Sequence, residues 1–242
     1  MDALGLEPWA RRGTSTARSA AETASPPVPV IEPPEIREPA VAAKPAAAMA
    51  VTPGARSWGE LRAAVAACRR CRLCETRSNT VFGVGPLRAP LMVVGEGPGA
   101  DEDARGEPFV GRAGKLLDEM LRAIGRSRET DTFIANVVKC RPPGNREPAD
   151  DEAEACRAYL EQQLELVQPR LILALGRIAA QRLLASDTPI GKMRGQNYTW
   201  GPRRTPLMVT YHPAYLLRNP ADKAKSWEDL KRVHRFITGA GA

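Results

Sequence analysis

The sequence predicts a single three-layer α/β/α domain built on a mostly parallel, four-stranded sheet. Three observations carry that expectation. Short apolar runs at residues 91–94, 133–138, 171–175 and 207–210 read as buried strands, because they leave no polar face to meet water. Segments with helical apolar spacing separate the runs, and strand–helix–strand alternation is satisfied by crossovers that keep the strands parallel. Finally, Glu96, Asn136 and His212 each follow or end one of these runs, at the strand edge where open α/β sheets bind ligands.

Taken in order, residues 1–55 are rich in Pro, Ala, Ser and Thr and include Pro26-Pro27-Val28-Pro29-Val30-Ile31-Glu32-Pro33-Pro34. They bury too little to fold alone. The expected organisation is a disordered, partly polyproline-like extension over 1–55 and a folded domain over 56–242. Leu4, Leu6 and Trp9 are the extension's candidates for docking a protein partner. Order is expected from Ser57, which forms a capping box with Glu60 ahead of Leu61, Ala64, Val65 and Cys68 at helical spacing. The first strand runs into a glycine-rich loop, Gly95-Glu96-Gly97-Pro98-Gly99, and a helical apolar period begins at Gly114. A helix over about 150–167 carries Ala153, Cys156, Tyr159, Leu160, Leu164 and Val167 on one face and stops before Pro169. Gly176 opens the next helix after the third strand. Residues 186–204 mix Gly, Pro, Lys and Arg around Tyr198 and Trp200, which suggests a short hairpin or a long basic loop. The last helix is expected over about 227–236.

A formal charge of +7 and a pI near 9.4 favour a polyanionic partner such as nucleic acid. No apolar run is long enough to span a bilayer, and no basic segment leads into an apolar secretion core. A cytoplasmic protein without membrane contact is expected, and nothing in the pattern calls for an obligate oligomer, so a monomer is expected too.

Five cysteines do not make a disulfide framework. In a reducing compartment, clustered cysteines more often bind a metal or a cluster. Cys68-Arg69-Arg70-Cys71-Arg72-Leu73-Cys74 offers a Cys-x2-Cys step twice over, and Cys140 and Cys156 can complete four ligands. Spacing alone chooses neither zinc nor iron–sulfur, and neither Cys68 with Cys71 nor Cys71 with Cys74.

The glycines of the 95–99 loop let backbone approach a flat ligand, and Phe109 offers it a stacking face. Asn136, at the end of an apolar strand, brings an amide that both donates and accepts. His212, one of two histidines, falls at another strand end, whereas His234 shares its helix with Lys231, Arg232 and Arg235 and reads as solvated. The segment from Lys139 through Cys140, Arg141 and Arg146 is dense in cations and suits phosphate contacts.

Together these residues resemble the family 4 uracil-DNA glycosylases, the iron–sulfur branch of their superfamily. The resemblance spans about 68–236 and rests on Gly95-Glu96-Gly97-Pro98-Gly99, Glu102-Asp103, Pro108-Phe109-Val110-Gly111, Asn136-Val137-Val138-Lys139-Cys140-Arg141-Pro142-Pro143, Asn145-Arg146 and His212-Pro213-Ala214-Tyr215-Leu216-Leu217-Arg218. It implies a uracil-DNA glycosylase-like fold and a monofunctional hydrolase that frees uracil from DNA, single-stranded or flipped from a duplex. It also implies a 4Fe-4S cluster on Cys68, Cys71, Cys140 and Cys156, with Cys74 as an extra thiol. By the same resemblance His212 is a catalytic candidate, as donor to uracil O2; Gly97 stands where the superfamily's water-positioning Asp is found, so Glu96 is the second candidate, for organising water or binding uracil. Gly95, Gly97, Phe109 and Asn136 would hold the base, and Glu102 would exclude the thymine methyl. Arg141, Arg146, Arg194, Arg218 and Lys139 would meet phosphates, and Leu216 with Leu217 would wedge into the gap left by the base.

Three other readings remain. Gly97 stands where the best-known members carry a water-positioning Asp, which suits a non-catalytic DNA-binding or redox-sensing relative. Relatives that stay attached to the abasic sugar carry a His-containing insertion, and residues 141–148 contain no His. A dinucleotide-binding oxidoreductase fits poorly, because the first loop lacks Gly-x-Gly-x-x-Gly.

Overall fold

The computed structural model describes residues 57–239. The expected extension over 1–55, with its docking candidates, lies outside the described residues. In chain order the helices and strands are α1 (Trp58–Ala66), β1 (Leu91–Gly95), α2 (Ala100–Arg105), α3 (Arg112–Ala123) and β2 (Thr132–Asn136). There follow α4 (Asp150–Val167), β3 (Leu171–Leu175), α5 (Gly176–Leu184), α6 (Ile190–Met193), β4 (Tyr198–Trp200), β5 (Thr205–Thr210), α7 (Pro213–Arg218) and α8 (Lys223–Thr238).

The capping box of α1 forms as its sequence requires: Glu60 N–H donates to Ser57 Oγ at 3.2 Å, and Ser57 N–H to Glu60 Oε2 at 2.9 Å. That fixes the start of a helix whose Leu61 and Val65 bury against Phe82. The sheet order is β2-β1-β3-β5-β4. The first four strands in that order are parallel, and β4 is an antiparallel edge on β5. The expectation of four strands is thus corrected to five. The fifth strand is an arm of the short hairpin that is one reading of the 186–204 segment, three half-buried residues outside the four apolar runs that set the count.

Alternation along each strand explains the three layers, since successive side chains leave opposite faces. Met92, Val94, Phe133, Ala135, Ile172, Ala174, Leu207 and Val209 face one way and pack under α4 and α5, through Leu160, Leu164, Ala179 and Ala180. Leu91, Val93, Ile134, Leu171, Leu173 and Met208 face the other way, against Leu117 and Leu121 of α3, Leu216 of α7 and Leu230 and Val233 of α8. Both faces are dry, which is why the strands read as unbroken apolar runs. β1 pairs with β2 on one side and β3 on the other, so the chain turns in opposite directions from it. Such a switch point leaves a crevice beyond the carboxyl ends of the strands.

Candidate active site

The segments that leave β1, β2 and β5 line one cavity of about 420 Å³. Each brings a different chemistry to it. The strand register sets Asn136 directly beside Gly95. Asn136 is only 1% exposed, and its Oδ1 has no hydrogen-bond partner among the described residues. A buried acceptor left unpaired costs about 1–3 kcal/mol, which singles Asn136 out among the groups that line the cavity. Gly95 makes the room: a Cβ there would lie 2.4 Å from Asn136 Oδ1 and 2.7 Å from the Phe109 ring. At Gly97 a Cβ would meet Val138 Cγ2 at 2.9 Å.

Phe109 has a φ of 56°, the left-handed region that a bulky side chain avoids. Strain of that kind costs on the order of 1–3 kcal/mol and survives only where neighbours enforce it. The Phe109 ring lies 5.6 Å from that of His212, tilted by 33°.

His212 caps α7, and its Nδ1 accepts the Ala214 N–H at 3.1 Å. An accepting Nδ1 leaves the proton of the neutral ring on Nε2. Burial, with the Arg218 charge adding and Glu102 opposing, pushes its pKa down from 6.5 to about 4. The ring is therefore a neutral donor at physiological pH. Glu96 behaves in the opposite sense: burial, reinforced by Glu147 and opposed by Arg177, pushes its pKa up to about 7. The cavity can thus stack a flat ring on Phe109, offer an acceptor to its polar edge from Asn136 and a neutral donor from His212, and hold a titrating carboxyl alongside.

The family model described as the Uracil DNA glycosylase superfamily matches residues 82–231. The chain belongs to that superfamily. It is 45% identical to the type-4 uracil-DNA glycosylase of Archaeoglobus fulgidus, over 70% of this chain and 87% of that protein. To the type-4 enzyme of Thermotoga maritima it is 43% identical, over 72% of this chain and 91% of the relative. A type-5 uracil-DNA glycosylase of Pyrobaculum aerophilum is more distant, 35% identical over 54% of this chain and 64% of that protein.

In this member of the uracil-DNA glycosylase superfamily, the cavity gathers Glu96, Gly97, Glu102, Phe109, Asn136 and His212, with Arg146 and Arg218 at its wall. Other expected contacts are not there. Lys139 is 1% exposed, and its ammonium donates to Asn136 O at 2.7 Å and Gln163 Oε1 at 2.6 Å, so it cannot meet a phosphate. Arg194 pairs with buried Asp229 at 2.7 Å and lies over the Tyr211 ring, which takes it out of the phosphate set. Leu216 is 1% exposed and belongs to the core, whereas Leu217 is 37% exposed and is left as the wedge candidate. Arg146 reaches the cavity, but Glu152 holds its guanidinium at 2.7 and 2.6 Å and compensates its charge. Arg141 is held by Asn145 at 2.8 Å. His234 is exposed as expected, with Nδ1 3.0 Å from Ile124 O.

Glu102 shows a function its motif did not announce. Its carboxylate accepts the N–H groups of Gly99, Val110 and Gly111 at 3.1, 3.0 and 3.1 Å, tying the two loops together. Gly176 was also missed. It has a φ of 87°, and a Cβ there would come within 2.9 Å of His212 Cβ. The available signal was a glycine at the end of the third strand, beside the one carrying His212.

Cys68, Cys71, Cys74, Cys140 and Cys156 line a separate, enclosed cavity. Cys140 Sγ accepts from Arg77 Nη1 at 2.9 Å and Cys156 Sγ from the Lys139 N–H at 3.3 Å. Burial pushes the Cys156 thiol up to about 12, so a thiolate there needs a cationic centre to bind. Among the described residues no three His, Cys, Asp or Glu side chains are drawn together as for a single metal ion.

Proposed function

We propose that this chain hydrolyses the N-glycosidic bond of uracil in DNA, releasing the base and leaving an abasic site for repair. The observation that carries the reading is the convergence of Asn136, whose buried Oδ1 is an acceptor, with Phe109 and His212 on one cavity. Uracil presents N3–H to that acceptor and O4 to the amide NH2, with its ring on Phe109. Cytosine has an acceptor at N3 and a donor at C4, so each buried group would face its like, at about 1–3 kcal/mol apiece. The base must leave the stack to reach a cavity of this kind.

Cleavage puts negative charge on the departing uracil. His212 donates Nε2–H to O2, and a neutral imidazole does this without losing its proton in the ground state. Glu96 in its ionised form orders the attacking water and faces the developing sugar cation. Arg218, at the cavity wall, meets the phosphates.

Four thiolates, Cys68, Cys71, Cys140 and Cys156, would hold a 4Fe-4S cluster. The gathering of five cysteines around one cavity, with Arg77 and Lys139 beside them, supports this, and a cluster needs its thiolates spread more widely than one ion does. When bound, it supplies a cross-link between the 68–74 segment, the turn after β2, and α4.

The test is multiple-turnover release from single-stranded oligonucleotides carrying uracil, thymine or cytosine. Uracil alone should be released, and Asn136→Ala and His212→Ala should each slow release by about 10²–10³-fold. Cluster-loaded protein that binds DNA and releases nothing would favour the non-catalytic reading.

A further inference from the structure

Arg128 belongs to none of the motifs above. It lies in the connection between α3 and β2, its side chain 10% exposed. Its Nη1 donates to the Pro108 carbonyl at 2.9 Å and its Nη2 to the Phe109 carbonyl at 3.0 Å. Asp118 Oδ1 orients the guanidinium, 2.9 Å from Nε and 2.7 Å from Nη2, and Glu107 adds a 3.4 Å contact. On the other side of Phe109, Glu102 accepts the N–H groups of Val110 and Gly111. A cation therefore holds the carbonyls at and before Phe109, and an anion holds the amides that follow it. Gly114 completes the seat, since a Cβ there would fall 1.8 Å from the Phe109 oxygen.

We infer that Arg128 is a positioning residue for base recognition: with Glu102 opposite, it holds Phe109 in the left-handed backbone state that turns the ring into the cavity. A strained conformer persists only when its surroundings over-determine it, and these contacts do so from both sides. The inference rests on the reading of Phe109 as the stacking face for the base.

The experiment is a double-mutant cycle on the full chain with its cluster loaded, reading kcat and KM for uracil release from a single-stranded oligonucleotide, with DNA affinity by anisotropy. Arg128→Met should lower release by about 10²-fold while leaving DNA affinity within about twofold, because the ring is misplaced and the phosphate contacts are not. Arg128→Lys, which keeps the charge and one donor, should recover part of the loss. Arg128→Met in a Phe109→Ala background should add nothing further. Losses that multiply in the double variant, or wild-type release by Arg128→Met, would overturn the inference while leaving the glycosylase reading intact. Wild-type release by Phe109→Ala would remove the stacking role and this inference with it. If Arg128→Met does not fold, Arg128→Lys and Asp118→Asn, which loosens the guanidinium's orientation, take its place in the cycle. Losses that vanish in the Phe109→Ala background then support the positioning role, and losses that multiply there overturn it.

Discussion

Glu96 and His212 share a wall of the cavity, yet burial moves their pKa values in opposite directions. A carboxyl raised to about 7 is ionised only as pH climbs through that value. His212, lowered to about 4, stays neutral throughout and cannot shape the profile. Uracil release should therefore rise between about pH 6 and pH 8 if Glu96 orders the water. Glu96→Gln should be slower and flat over the same interval, and a rise that survives in the variant would assign the titration to another group. Both residues were legible in the sequence because strand ends are where chemistry collects. Their opposite protonation was not, since burial and neighbouring charges follow from the tertiary arrangement.

Helix α7 shows what a short element conceals. Pro213–Arg218 spans under two turns, too little for an apolar period to declare a buried face. Neighbours on a helix point about 100° apart, and here Leu216 is 1% exposed while Leu217 is 37% exposed. The wedge role expected of the pair thus falls to Leu217 alone. Leu217→Ala should reduce release from duplex DNA roughly tenfold more than from single strands, because only a stacked base leaves a gap to fill. Equal losses on both substrates would end that role. Leu216→Ala is instead a core truncation, expected to cost about 2–5 kcal/mol of stability. The same limit hid α2, whose Ala100–Arg105 is acidic and has no apolar stripe, and left the segment of the edge strand β4 open between a hairpin and a loop. Long, strongly patterned elements such as α4 were legible to the residue.

Across the whole molecule, the cysteine cavity joins three parts of the chain that are remote in sequence. If a cluster occupies it, the cluster is part of the fold as well as of the surface near DNA. Cys156→Ala should abolish the visible absorbance of the purified protein and lower the melting temperature by roughly 10 °C. Cys74→Ala should leave both unchanged if Cys68 and Cys71 supply the local pair; lost absorbance in Cys74→Ala would exchange Cys74 for Cys68. Sequence spacing could not make that choice, nor could it see that the basic Lys139 is buried between this cavity and Asn136. One further property follows from the pairing of Gly95 with Asn136 across β1 and β2. Side chains alternate along a strand, so a slip of one residue would turn the Asn136 amide from the cavity to the opposite layer. Under the proposed role of Asn136, reading the base and closing the sheet are then a single act of alignment. If Asn136 reads the base as proposed, a molecule assembled one residue out of register would lose that amide from the cavity together with its sheet packing.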